Sequence, residues 1–341
     1  MTRRTLVVSL ALGALIVLAV LWRAMAPGTA RSVVVYVSHD QVFSEPILKD
    51  FERDTGIEVK AVYDTEETKS AGVMNRLIAE RANPRADVYW ANEPIRAEVL
   101  RQRGVAAPYR SPSADGIPEQ FRNPEGYWTG FSARARILIL ARDAKDKPAS
   151  VLAYADPRFI GKAALANPLF GTTTAHLAAL FTVWGDDRAK AFLDAMRGNG
   201  VHLTASNGES ADQVASGAFQ FALVDSDDVY SRHKQGQPVE GVYPDQEQDG
   251  LGCFIVPNAV LLIQGGPHQA AGRRLVDYLL SRETERKLAQ SDAGQIPLHP
   301  GVETPPEVPR LETLRVMQVD YAAVAAKLQA IQPLLADWVG H

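Results

Sequence analysis

SVVVYVSHDQVFSEPILKDFERDTGIEVKAV, residues 32–62, is the stretch that decides the fold class. Its first six residues form a β-branched run with the length and composition of a buried strand. Residues 44–53 then read as a helix with Ser44 as N-cap and Pro46 near its first turn, and Gly56 stops it. Residues 57–62 alternate apolar and polar side chains, as a strand does. A strand, a helix and a second strand in succession imply a crossover and therefore parallel pairing.

Outward from this unit the pattern repeats. Helices are expected at 69–81 and 94–103, with a strand at 86–90 between them and Gly104 as a stop. Residues 108–130 are rich in Pro, Gly, Ser and Asn and read as a long loop. A strand at 131–140 follows, then helices at 173–183, 186–197 and 210–216, with strands near His202 and at 219–224. Residues 235–250 are polar, acidic and turn-rich; 251–263 is a long apolar strand, and helices close the chain at 270–280 and 322–338. Alternating β and α elements predict α/β lobes with parallel-rich sheets.

The 341 residues are 46% hydrophobic and 22% charged, within the globular range, and exceed the roughly 250 to 300 residues at which single cores stop growing. Two domains or one large one are expected from length alone. With 36 basic against 40 acidic residues the net charge is -4, which offers nucleic acid no electrostatic partner. Residues 6–21 (LVVSLALGALIVLAVL) carry no charge and follow Arg3 and Arg4; Ala24-Met25-Ala26 supplies a small-x-small cleavage site. This is the layout of a signal peptide spanning 1–26, and its alternative is an uncleaved anchor that tethers an exported chain. Cleavage after Ala26 leaves 315 residues with 33 basic and 40 acidic, a net of -7. The single cysteine, Cys253, has no internal disulfide partner and reads as a buried thiol.

Several stretches in order resemble the periplasmic solute-binding proteins of ATP-driven (ABC) importers, in the group that includes ferric-iron-binding proteins. They are Ser38-His39-Asp40 after the first strand, FERDTGIEVKAV at 51–62, ADVYW at 86–90, GYWTGFSARAR at 126–136, LAYADPRFIG at 152–161, AGRRLVDYLLS at 271–281, and Ile296-Pro297-Leu298 with Pro300-Gly301-Val302. The resemblance implies a periplasmic, monomeric binding protein of two α/β lobes joined by crossover strands, the class II arrangement, with a ligand cleft between them and a membrane permease and its ATPase as partners. Lobe 1 is expected from 32–133 plus about 251–300 and lobe 2 from about 134–250, with the C-terminal helices of 301–341 packing back on both. The strands at 131–140 and from 251 are the expected crossovers.

Ligand contacts are expected where strands end, because open α/β sheets bind ligands beyond their carboxyl ends. Ser38, His39 and Asp40 follow the first strand, Asp64, Thr65 and Glu66 the second, and Asn92 and Glu93 the third. Asp64 and Thr65 also suit a helix cap. Ser132, Arg134 and Arg136 alternate and so share one face of their strand, where a guanidinium can fork onto a carboxylate or phosphate. Arg134 is the chosen anion contact. Thr172 and Thr173, and Ser206 to Glu209, stand at helix N-termini that attract anions. After the strand ending at Val224 come Asp225, Asp227, Asp228 and a lone Tyr230, where the resemblance implies adjacent tyrosines as iron ligands. A metal set of His39, Glu66, Asp225, Asp227 and Tyr230 is the resulting expectation for ferric iron with a companion anion. A small organic anion or zwitterion, such as an amine-bearing phosphonate or a sugar phosphate, is the other expected cargo. No catalysis is expected, since G-x-S-x-G, H-E-x-x-H and a nucleophilic cysteine setting are absent. The rival readings are a membrane-anchored sensor domain and an exported hydrolase pairing Asp225 with Asp227.

Overall fold

The computed structural model describes residues 32–64 and 71–340. The signal-peptide segment and Glu66 lie outside these residues. Among the described residues no helix is long and apolar enough to cross a membrane.

Strand β1 (Ser32–Val37), helix α1 (Gln41–Thr55) and strand β2 (Glu58–Tyr63) form the expected unit, and the two strands pair in parallel. The helix begins one turn earlier than its sequence suggests. Asp40, not Ser44, occupies the N-cap position, and Ser44 is a fully buried residue whose hydroxyl donates to the Asp40 carbonyl at 2.9 Å. A serine that back-bonds within a helix carries the same sequence signal as one that caps it. Gly56 ends α1 in the left-handed region at φ 69°, a conformation that glycine adopts without steric cost.

Helix α2 (Ala71–Ala79), β3 (Val88–Ala91), α3 (Pro94–Gln102) and the short β4 (Ala106–Ala107) complete the first part of the chain. The 13-residue β5 (Thr129–Ala141) then runs through the whole molecule. Residues 129–135 pair with β10 (Ile255–Ile263), and 136–141 pair with β8 (Phe221–Asp225) and β9 (Val239–Val242). Between these come β6 (Ala163–Ala166), α4 (Gly171–Trp184), α5 (Asp186–Gly198), β7 (His202–Thr204), α6 (Asn207–Ala215) and α7 (Ser226–Lys234). Helices α8 (Gln269–Leu279), α9 (Arg282–Gln290) and α10 (Tyr321–Gly340) close the fold.

The sheet order is β2-β1-β3-β10-β5-β8-β6-β7. β1 pairs in parallel with β2 and β3, and β6 with β7 and β8, while β5 and β10 enter antiparallel. Two parallel groups, each with helical crossovers, thus hang on one long strand, and the two lobes follow from that connectivity. The carboxyl ends of β1, β2 and β3 lead to His39, Asp64 and Asn92; those of β6, β7 and β8 lead to Thr172, Asn207 and Asp225. Within 301–341 lie a 3-10 turn at Leu311–Thr313 and α10, and α10 packs against both α3 and α4. Trp338 Nε1 donates to the Leu193 carbonyl at 2.9 Å and the Tyr321 hydroxyl to that of Ile255 at 2.7 Å.

One irregularity matters for the cleft. Ala133 faces Pro257 and Phe131 faces Asn258, so Ser132 is an extra residue in β5 without a partner in β10. It has φ 39°, rare for a residue with a side chain. The bulge interrupts the two-residue period of the strand between Phe131 and Ala133.

Candidate functional site

Arg136 stands at the start of the second half of β5 and is fully buried. Its guanidinium donates to Thr172 Oγ1 at 3.0 Å, to Asp225 Oδ1 at 2.9 Å, to Thr173 Oγ1 at 3.0 Å and to the Leu223 carbonyl at 3.1 Å. Thr172 Oγ1 in turn accepts from Asn207 Nδ2 at 3.0 Å and donates to Asp225 Oδ2 at 3.0 Å. The hydroxyl therefore uses its one donor and both acceptor positions. Because Thr172 lies in the first turn of α4, Asn207 opens α6 and Asp225 caps α7, this knot brings three helix N-termini to one point. Each N-terminus carries unpaired amides and roughly half a positive charge, which together favour an anion.

Arg134 joins this group to the other lobe. Its Nη2 donates to the Asn92 carbonyl and its Nη1 lies 3.5 Å from Asp225 Oδ2. Burial disfavours its charge, but Asp225, Asp227, Asp40 and Asp228 around it outweigh burial and raise its pKa. The two arginines together neutralise Asp225.

Asp225, Asp227 and Asp228 each offer a carboxylate oxygen within 4.8 Å of the others. Asp228 Oδ2 accepts from the Asp225 amide at 3.2 Å, and Asp227 Oδ1 from the Asp228 amide at 3.1 Å. Burial first, and then the neighbouring carboxylates, push the Asp227 and Asp228 carboxyls upward. A raised carboxyl holds its proton in the folded state, so its contribution to stability is complete below the ordinary aspartate pKa and is lost as pH climbs through the raised value. Asp227→Asn, which mimics the protonated form, should match the parent in acid, near about pH 4. It should exceed the parent in melting temperature near neutrality; equal pH slopes for the two proteins would contradict the assignment.

Several expected contacts are committed inside the protein. The Ser38 hydroxyl donates to Asp64 Oδ2 at 2.9 Å and meets the Tyr89 hydroxyl at 2.8 Å. Asp64 Oδ1 accepts from the Val73 amide at 3.3 Å in the first turn of α2, which fits the capping role. Glu93 caps α3, accepting from the Ile95 and Arg96 amides at 2.6 and 3.0 Å and from the Arg96 side chain at 2.8 Å. Thr173 serves Arg136, and Ser132 is fully buried at the bulge. Tyr230 lies so close to Gly294 that a Cβ there would approach its ring to 2.6 Å, and the Lys234 ammonium sits 5.2 Å from the ring centroid. His39 stacks on Trp90 at a centroid distance of 5.4 Å. Of the set expected to hold ferric iron, Asp225 and Asp227 stand together with Asp228 in one carboxylate cluster. Both carboxylate oxygens of Asp225 are held by protein donors, Oδ1 by Arg136 and Oδ2 by Thr172, with Arg134 3.5 Å from Oδ2. Cys253 is fully buried and its thiol is pushed up to about 12 by burial, an inert setting for a thiol.

Arg136 and Asn207 were legible as residue types but not as the centre of the site. The partners in these bonds lie 35 to 89 positions away in sequence, and no local pattern encodes that pairing.

A family model described as a bacterial extracellular solute-binding protein matches residues 33–291. The iron uptake protein A1 of Synechocystis sp. is 25% identical over 280 residues, covering 78% of this chain and 76% of that protein. A Salmonella typhimurium protein named "Putative 2-aminoethylphosphonate-binding periplasmic protein" is 25% identical over 338 residues, covering 96% and 93%. The crystal structure of apo ferric ion-binding protein A from Pasteurella haemolytica shares the fold with a TM-score of 0.80 at 21% identity, covering 91% of this chain and 98% of that one.

Proposed function

Because the chain belongs to the bacterial extracellular solute-binding protein family, we propose that it is the exported ligand-capturing component of an ATP-driven importer and that its cargo is a small organic phosphate or phosphonate, of which an amine-bearing one is the best fit. Lobe 1 is taken as residues 32–133 with about 251–300, and lobe 2 as about 134–250. The observation that carries the cargo is the knot at Thr172, where three helix N-termini and two buried arginines meet around one neutralised carboxylate. Such a place suits a tetrahedral dianion, which can accept from several helix N-terminal amides at once in the field of the two cations. Asp40, Asp227 and Asp228 next to it supply carboxyl oxygens for an ammonium group, whose charge would favour release of the protons that burial holds on Asp227 and Asp228. Delivery to a membrane permease follows from the family, and the function needs no bond to be broken.

Ferric iron remains the second cargo, favoured by the three clustered aspartates and by the named function of the Synechocystis relative. A thermal-shift panel separates the two. Inorganic phosphate, an aminoalkylphosphonate, a hexose phosphate and ferric citrate are each added to the ligand-free protein. A ligand at about one hundred times its Kd adds roughly 2.7 kcal/mol of stability by mass action. The phosphonate or phosphate ester should raise the melting temperature and ferric citrate should not. Stabilisation by ferric citrate alone would sink the organophosphate reading, and turnover of any ligand would sink the transport reading.

A further inference from the structure

His39 is the residue at which a metal-binding and an anion-binding site would differ most, because a metal needs a nitrogen lone pair and an anion needs an N–H donor. The hydrogen bonds behind it decide which it offers. Trp90 Nε1 can only donate, and it lies 3.3 Å from Asn258 Oδ1. Asn258 Nδ2 must then face the opposite way, where it donates to the Ser132 carbonyl and to Gln295 Oε1 at 2.9 Å. The Ser132 carbonyl can only accept, which fixes the same orientation of Asn258 independently. With Oε1 of Gln295 engaged by Asn258, the atom that Gln295 turns to His39 is its amide nitrogen, 3.3 Å from Nε2. An amide nitrogen donates, so Nε2 of His39 accepts.

We infer that Gln295 is a specificity-determining positioning residue, which through the Trp90–Asn258–Gln295 chain occupies the Nε2 lone pair of His39 and leaves the ring proton on Nδ1. In this state His39 is a hydrogen-bond donor from Nδ1 and cannot offer Nε2 to a metal. Trp90, Asn258 and Gln295 are all fully buried, and the His39 ring stacks on Trp90 with its plane tilted by only 21°. A chain of amides in such surroundings has few alternative arrangements, because reversing one amide places donor against donor along its length. The chain also ends on the backbone of Ser132, the bulged residue of the strand shared by both lobes. The consequence for cargo rests on the cleft reading above, whereas the ring state of His39 does not.

The test reads the ring directly. In the ligand-free, full-length protein with labelled histidine, long-range nitrogen–proton correlation spectra distinguish a proton on Nδ1 from one on Nε2. The parent should show His39 protonated on Nδ1. Gln295→Glu places a carboxylate against Nε2 and should move the proton there. Asn258→Asp removes the donor to Gln295, lets that amide reverse, and should produce the same change from one residue further back. Circular dichroism and melting identify any variant that has lost its fold, and either variant alone suffices. A parent ring protonated on Nε2 would overturn the inference, as would a ring state unchanged in a folded Gln295→Glu or Asn258→Asp protein. Because the ring is read without ligand, this result is independent of the thermal-shift panel.

Discussion

Arg136→Met should lower the stability of the protein by about 3–5 kcal/mol, the cost of removing one partner from a buried ion pair. The side chain is fully buried and its four acceptors are Asp225, Thr172, Thr173 and the Leu223 carbonyl. Methionine fills similar space but leaves Asp225 with Arg134 at 3.5 Å as its remaining cation. Lysine should do little better, because a point charge cannot serve four acceptors arranged around a planar fork. The double variant Arg136→Met, Asp225→Asn should recover part of the loss, since it removes the stranded charge and asparagine caps a helix as well as aspartate does. That recovery is a positive coupling between neighbours and is read from a double-mutant cycle in urea. Ligand affinity should not return with it. Arg136 is what holds Thr172 and Thr173 of α4 against Asp225 of α7, so the rescued fold still lacks the assembled anion site. A single variant within about 0.5 kcal/mol of the parent would mean that Arg136 behaves as a surface residue does.

The sequence carries most of the fold and less of the site, and the two have different physical origins. Elements follow from local patterns: the parallel pair β1 and β2 was readable from one strand–helix–strand run because its periodicity changes within a few residues. The lobes and the long crossing strand came from the order of several weak resemblances, none sufficient alone. What failed was also local in cause. Ser44 was indistinguishable from a cap, β9 was hidden in a polar segment because its middle residues are half-buried, and the bulge at Ser132 depends on Asn258 in a strand 126 residues away. The site depends on such distant pairings throughout. Arg134 and Arg136 were visible as a pair on one face, but only the bond lengths separate the bridge to Asn92 and Asp225 from the buried anchor of three helices. Asn258 and Gln295 carried no signal at all, since a buried amide differs from a solvated one only in its neighbours.

Glu285→Leu should be comparably damaging, although Glu285 lies outside the anion knot. Its carboxylate is fully buried in α9 and accepts from the Ser132 amide at 2.8 Å, the Leu298 amide at 2.9 Å, the His299 amide at 3.0 Å and His299 Nδ1 at 2.7 Å. Leucine strands all four donors where water does not reach, and each buried donor left alone costs about 1–3 kcal/mol. Relaxation reduces the sum, so about 3–5 kcal/mol is the expected loss. Glu285→Gln keeps one acceptor oxygen but turns an NH2 group toward donors, and it should fall between the parent and the leucine variant. The functional effect separates this role from simple packing. Glu285 holds Ser132 in its left-handed conformation, which costs about 1–3 kcal/mol. Once that hold is gone the bulge relaxes, the Ser132 carbonyl moves relative to Asn258, and the two lobes lose their fixed relation across β5. Ser132→Gly, which adopts φ 39° without strain, should therefore restore part of the stability in the Glu285→Gln background and little in the parent. Urea unfolding followed by tryptophan fluorescence measures the parent and all these variants. Equal gains from Ser132→Gly in both backgrounds would show that Glu285 does not hold the bulge.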